Sequence, residues 1–233
     1  LNLRKNTVLL SFGSVAKSYL MPEEYKQTIR STIRKFPDVT FIWKYEKPEH
    51  GMSEGIENLI ETTWMPQNDM LQDPRLSLFI THCGQGSTIE ATTAGVPLIV
   101  IPVLGDQQRN AQTIKRIGTG IVLEKKILAE EETLERAIRS VLENEEYSRK
   151  AKFMGEMIRN RPFTARDTFV RNMEFMARFG PLRQFDHYGM QLNFFQYYCL
   201  DVYAFLSAIF FVVLMSIVYC VRFAFRSVFT IKK

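Results

Sequence analysis

Residues 79–112 read FITHCGQGSTIEATTAGVPLIVIPVLGDQQRNAQ. An apolar run ends at Thr81–His82, a turn with Gly84 and Gly86 follows, and a helix carrying Glu90 comes next. A second apolar run, Pro97 to Val103, leads to Asp106–Gln107. Apolar runs of this length bounded by glycine and proline read as strands, and strands alternating with helices predict an α/β fold with a parallel sheet. Ligands in such sheets bind outside the carboxyl ends of the strands. Two neighbouring strand ends thus bring a small cradle, an acid and an Asp–Gln pair to one crevice.

The chemistry of that crevice follows from the helix after Gly86. The first turn of a helix has backbone N–H groups without partners, and the helix dipole places partial positive charge there. A diphosphate docks at such an end. Gly84 and Gly86 let the backbone approach closely and take unusual φ values. His82 can donate to a phosphate oxygen, and Glu90 lies within reach of ribose hydroxyls. Asp106 and Gln107 can hydrogen-bond sugar hydroxyls, with Asn110 one turn further in, so the arrangement suits a nucleotide-sugar. The plainer reading is a tight strand-to-helix turn capped by Ser87, with Asp106 as the N-cap of the next helix.

The rest of the chain extends the pattern. Val8–Phe12 reads as a strand ending at Gly13–Ser14, Met21–Phe36 as a helix with Pro22 in its first turn, Thr40–Tyr45 as a strand and Leu59–Thr63 as another. A short helix starts near Asp69, Leu76–Thr81 is the strand before the cradle, Asp106–Arg116 is a helix and Gly120–Glu124 is the last strand. From Glu130 the spacing turns helical, through Tyr147–Ile158 and Arg166–Phe179, with Arg159, Arg161, Arg166 and Arg171 on solvated faces. Trp43 lies inside a strand and reads as core. Trp64 stands in a loop after one, where an indole can stack on a planar ring and the amide of Gln67 can pair with a polar edge. Ser14 can donate its hydroxyl to a phosphate.

Several classes of protein are excluded. The 233-residue chain carries a formal charge of +5, but Arg222, Arg226, Lys232 and Lys233 lie in the last twelve residues without an acid. The remainder is close to neutral, which is not the footprint of a nucleic-acid binder. Three cysteines, Cys83, Cys199 and Cys220, form neither a closed disulfide framework nor a metal-ligand spacing. No metal or cofactor is expected.

Val202–Val221 is a run without a charge, long enough at about 1.5 Å per residue to cross a bilayer. Phe194, Phe195, Tyr197 and Tyr198 before it fit an interfacial aromatic belt. Basic residues follow the span, which places residues 222–233 in the cytosol and the α/β domain across the membrane. Leu1 is preceded by neither an initiator Met nor a signal peptide, and the chain reads as the C-terminal part of a longer protein. The expected organisation is a domain over 1–180, a juxtamembrane segment over 181–201, a transmembrane helix over 202–221 and a basic tail over 222–233.

These residues resemble the donor-binding signature of the UDP-glycosyltransferases, specifically the membrane-bound UDP-glucuronosyltransferases of animals. Further pieces match in order: Leu10–Ser14 resembles the family's first strand and Gly-Ser turn, Trp64–Leu71 its Trp-x-Pro-Gln motif, and Phe194–Val202 its pre-membrane segment. Cys83 stands where many members have Gly, and the Gln85–Gly86–Ser87 triplet departs from the commonest version. The resemblance implies the C-terminal half of a GT-B glycosyltransferase, a Rossmann-like parallel sheet followed by one transmembrane helix. Its implied donor-binding residues are Ser14, Trp64, Gln67, His82, Gly84, Gly86, Ser87, Glu90, Asp106, Gln107 and Asn110.

The implied reaction is inverting transfer of glucuronate or glucose from a UDP-sugar co-substrate to a small lipophilic acceptor, a detoxification chemistry. In that family the base is a histidine oriented by an aspartate in an N-terminal domain, so no catalytic residue is assigned among residues 1–233. The implied setting is the endoplasmic reticulum membrane, single-pass, with a lumenal catalytic domain. Lys232–Lys233 resembles a dilysine retrieval signal. The alternative is a non-catalytic UDP-sugar-binding or dimerising membrane subunit, and homo- or hetero-oligomerisation stays open.

Overall fold

The computed structural model describes residues 3–231, with side chains described for residues 3–223. It divides into two units, Leu1–Pro162 and Phe163–Lys233. The first is built on six strands: β1 Asn6–Ser11, β2 Val39–Lys44, β3 Leu59–Thr62, β4 Leu76–Thr81, β5 Leu98–Val100 and β6 Gly120–Val122. All pairs are parallel and the order is β3-β2-β1-β4-β5-β6. The direction of winding reverses between β1 and β4, which makes their carboxyl ends the crevice of the sheet.

Helices α1 Glu23–Arg34, α2 Gln67–Gln72, α3 Gln85–Ala94, α4 Gln107–Ile117, α5 Glu131–Glu143 and α6 Glu145–Arg159 cover the sheet. The strands are apolar on both faces because both are buried. Val8, Leu10, Phe41, Trp43, Leu78 and Ile80 share one core with Ile29 and Ile33 of α1 and Leu134 and Ile138 of α5. The alternate residues Leu9, Ile42, Phe79, Leu98 and Val100 pack on the other side with Leu71, Ala91, Ala111 and Ile114 from α2, α3 and α4. Trp43 is fully buried, edge-on to Tyr45 at 5.2 Å, in the core role its strand position predicts.

Two boundaries and one side-chain contact differ from the sequence reading. The strand expected over Pro97–Val103 pairs only at Leu98–Val100. One further bond, Ile101 N–H to the Thr81 carbonyl at 2.8 Å, extends the contact, and Pro102 then lacks an N–H to continue it. Helix α3 begins at Gln85, so Gly86 belongs to its first turn instead of the turn before it. Arg159, expected to be only solvated, donates Nη1 to the Thr93 carbonyl at 2.7 Å and satisfies a group at the C-terminal end of α3.

The second unit contains α7 Ala165–Phe179, α8 Phe194–Tyr197 and α9 Leu200–Ile231. Helix α7 carries no buried residue, and the compact unit closes at Pro162, short of the expected residue 180. Asn193 and Gln196 form a reciprocal capping box at the start of α8, and Cys199, at φ 54°, separates it from α9. Within α9, the 24 residues Leu200–Phe223 are long and apolar enough to cross a membrane, and none of that length is buried. At about 1.5 Å per residue the stretch exceeds the hydrocarbon core of a bilayer. Lys232–Lys233 lies outside the described residues.

Candidate functional site

The carboxyl ends of the strands stand level: Ser11 is paired with Thr81, and Thr81 with Val100. A cleft of about 410 Å³ opens beyond the ends of β1, β2 and β3, walled on the far side by α2 and α3. Of the sequence-predicted residues, Ser14, Trp64, Gln67, Ser87 and Glu90 line it. His82, Gly84, Gly86, Asp106, Gln107 and Asn110 are not in its wall and belong to the adjoining ends of β4 and β5.

Trp64 is 73% exposed although it is the largest apolar side chain of the cleft, so one indole face is open to a planar ligand. Beside it, the Gln67 amide donates to Glu90 Oε2 at 2.7 Å and to Ser87 Oγ at 3.1 Å. This network ties α2 to α3 and orients the Glu90 carboxylate. Ser87 makes no cap: the N-cap of α3 is Gly84, without a side-chain cap bond.

The roles of the glycines differ from those expected. Gly84 has φ −61°, an ordinary value, and Gly86 is helical with open space where a Cβ would stand. The left-handed residue of the turn is Cys83, at φ 67°. That conformation favours glycine and costs other residues about 1–2 kcal/mol. What excludes a side chain at Gly84 is His82, since a Cβ there would stand 2.5 Å from its Nε2; Gly13 is left-handed at φ 88°, which already favours glycine, and a Cβ on it would also stand 2.6 Å from His82 Cε1. The imidazole is wedged between the first and fourth strand ends. Burial pushes it below its usual 6.5, while Asp106 opposes that shift and Lys44 reinforces it. A neutral imidazole keeps one N–H for an oxyanion and one lone pair. Cys83 itself is buried, and burial pushes its thiol up, away from nucleophilic character.

On the β5 side, Asp106 occupies the N-cap position of α4 with helical backbone angles and no side-chain cap bond. Its Oδ2 accepts instead from Asn110 Nδ2 at 2.8 Å, and the same amide donates to the Cys83 carbonyl at 3.0 Å. Asn110 thereby laces the two strand-end loops together. Gln107 is buried, and its Oε1 accepts from the N–H groups of Val103 and Leu104 at 2.7 and 2.9 Å. Its carbonyl is therefore committed to the loop, and only its Nε2 is left for a sugar. The reading of a paired Asp–Gln sugar contact thus separates into an exposed acid and a buried loop brace.

The sequence reading missed Lys44. It ends β2 almost wholly buried, lines the cleft, and places Nζ 2.7 Å from the Gly13 carbonyl, 3.8 Å from Glu46 and 5.4 Å from the Trp64 ring centroid. A lysine closing an otherwise apolar strand was the available signal, since an ammonium is not buried without a partner.

A six-stranded parallel sheet of order β3-β2-β1-β4-β5-β6, covered by helices, is the fold of one half of a GT-B glycosyltransferase. The chain belongs to the UDP-glucoronosyl and UDP-glucosyl transferase family, whose model matches residues 4–233. It is 34% identical over 202 residues to a putative UDP-glucuronosyltransferase, ugt-47, of Caenorhabditis elegans, covering 85% of this chain and 38% of that protein. It is 29% identical over 203 residues to UDP-glucosyltransferase 2 of Dactylopius coccus, covering 87% of this chain and 38% of that protein. The chain thus spans 38% of the length of these curated relatives.

Among solved structures, Os79 from O. sativa in complex with UDP superposes with a TM-score of 0.61 at 24% identity, over 75% of this chain and 41% of that one. The glycotransferase of kitacinnamycin gives 0.61 at 20% identity, over 75% and 43%. At these identities the likeness speaks for the fold.

Proposed function

We propose that the chain is the donor-binding portion of an inverting UDP-glycosyltransferase. One observation carries the reading: Trp64, Gln67 and Glu90 converge on a single cleft that ends at the α3 N-terminus. In this reading the uracil stacks on Trp64, the ribose hydroxyls meet Glu90, and the diphosphate lies against the first-turn amides of α3 with Ser14, His82 and Lys44 around it. The acceptor oxygen attacks the anomeric carbon while the bond from that carbon to the UDP oxygen breaks on the opposite face. The charge that develops on UDP is met by groups already fixed in place, which is where preorganised electrostatics lower the barrier. The acceptor's proton goes to a base.

None of the three histidines is assigned that task. His82 faces the diphosphate, His50 Nδ1 is 2.8 Å from the Tyr45 hydroxyl, and His187 belongs to the second unit. No catalytic base is therefore assigned among residues 1–233. Isothermal calorimetry should show UDP binding by the purified chain without sugar transfer, and turnover by it alone would overturn the assignment. Competition between UDP-glucuronate and UDP-glucose in the same assay decides the donor sugar. Asp106→Ala should weaken the UDP-sugar but not UDP, and an equal loss of both would move Asp106 to the diphosphate or the fold.

Helix α9 anchors this unit by a single pass in the endoplasmic reticulum membrane, supported by the apolar stretch Leu200–Phe223 and the basic residues that follow. A glycosylation acceptor engineered near Glu145, behind a signal peptide, should be modified, and one placed after Lys233 should not. The reverse pattern would put the sheet in the cytosol.

A further inference from the structure

The ammonium of Lys44 has more than one claimant. Its Nζ donates to the Gly13 carbonyl at 2.7 Å, and Glu46 Oε1 stands 3.8 Å away, too far for a hydrogen bond. Both side chains are nearly closed to solvent, at 8% and 14% exposed. Both carboxylate oxygens of Glu46 are buried, and neither accepts a hydrogen bond. A carboxylate so placed is costly unless a cation stands beside it. Among the described residues, Lys44 is the cation paired with it.

Lys44 also faces the donor cleft. It lines that cleft together with Gly13, Ser14 and Trp64, and its Nζ is 5.4 Å from the centroid of the Trp64 ring. An ammonium has three N–H donors, and the Gly13 carbonyl takes one. The same charge therefore answers to a buried anion in the fold and to any anion in the cleft. Glu46 offsets part of the Lys44 charge, and in a poorly solvated site that effect is weakly screened. The loss of attraction grows with the charge of the ligand. Breaking the bond from the anomeric carbon to the UDP oxygen leaves the electron pair on that oxygen. Free UDP thus gains an ionisable terminal phosphate oxygen and is more negative at neutral pH than the diphosphate of a UDP-sugar.

We propose that Glu46 sets the preference of the donor site between the UDP-sugar and the UDP that transfer releases. Its buried charge restrains Lys44, so the more highly charged product is held less tightly than an uncompensated ammonium would hold it. Glu46 is a specificity-determining residue that acts through Lys44 without touching the ligand. The proposal rests on the donor-site reading.

The test measures UDP, UDP-glucose and uridine binding by calorimetry, using the full chain in phosphatidylcholine nanodiscs, with folding checked by circular dichroism. Glu46→Gln keeps the size of the side chain and removes its charge. It should tighten UDP by about threefold to tenfold, UDP-glucose by less and uridine not at all. Glu46→Met also removes the unpaired polar atoms and should shift the three affinities in the same way. Glu46→Asp keeps the charge and should retain the wild-type ratio of UDP to UDP-glucose affinity. In a Lys44→Met background the gain from Glu46→Gln should largely disappear, because the two residues are coupled.

UDP affinity unchanged or weakened in folded Glu46→Gln and Glu46→Met chains overturns the proposal. So do equal gains for UDP and UDP-glucose, or a gain that persists in full without Lys44. Loss of the fold in both variants would confine Glu46 to the structure and overturn it as well. Failure of wild type to bind UDP would sink the donor reading itself, whereas UDP binding that ignores Glu46 leaves that reading standing.

Discussion

Replacing Gly84 and Gly86 one at a time separates two kinds of glycine in one turn. Gly84 has backbone angles of −61° and 149° that alanine adopts freely, so Gly84→Ala adds no backbone strain. Its new Cβ would instead stand 2.5 Å from His82 Nε2 and 3.0 Å from Cε1. The ring cannot retreat toward β1, because the backbone of Gly13 closes that side. It must rotate out or push the turn, an overpacking cost of about 1–3 kcal/mol. Alanine is also a poorer N-cap than glycine.

In a domain of this size such a cost lowers the thermal midpoint by roughly 2–10 °C. UDP affinity should fall with it, because the imidazole leaves its seat. Gly86 is helical with nothing near its missing Cβ, so Gly86→Ala should raise stability by up to about 1 kcal/mol through helix propensity. It should still weaken UDP if the diphosphate lies against the first turn as proposed, because the new methyl stands there. Differential scanning fluorimetry and UDP calorimetry on both variants read this directly. A Gly84→Ala protein as stable and as tight-binding as wild type would refute the wedge between Gly13 and Gly84 and the diphosphate role of His82 with it.

Other outcomes follow from the same geometry. Lys44→Met removes a cation that touches the Gly13 carbonyl and faces the cleft, and should cost UDP about 1.5–3 kcal/mol while costing uridine much less; equal losses would confine Lys44 to a structural role. His82 has its proton affinity lowered by burial from the usual 6.5, so the unfolded chain binds a proton that the folded one refuses. Its contribution to stability is complete above about pH 6.5 and declines as the pH falls below that value. Thermal midpoints from pH 7.5 to 5 should therefore fall less steeply in His82→Gln than in wild type, and parallel curves would contradict the assignment. Cys83→Gly exchanges relief of a left-handed residue for a lost buried side chain and should stay within about 1 kcal/mol of wild type. Cys83→Val should unfold at clearly lower denaturant concentration, because a β-branched residue is strained at that φ.

The sheet was legible in the sequence because its strands are apolar on both faces and punctuated by Gly, Pro and Asp. Strand β4 begins and ends where the run Leu76–Thr81 does. The crevice was legible for a related reason: in a parallel sheet every motif that follows a strand arrives at the same edge. What stayed hidden are contacts between residues remote in the chain. Nothing local to Gly84 shows that its missing side chain leaves room for His82. Gln107 reads as a sugar ligand, and nothing in the sequence shows that its oxygen also accepts from Val103 and Leu104. Cys83 reads as a departure from a glycine motif, and only the backbone shows that it holds the left-handed position glycine would fill. Lys44 was passed over because a strand pattern rewards apolar residues and is silent about where a lone cation ends.

The most direct test of the donor-site reading is a structure of this chain with UDP bound. The uracil ring should lie parallel to the Trp64 indole, with ribose hydroxyls on Glu90 and the diphosphate against the backbone of Gly84–Ser87 within reach of His82. UDP bound elsewhere, or in this cleft with its diphosphate pointing away from the N-terminus of α3, would contradict it.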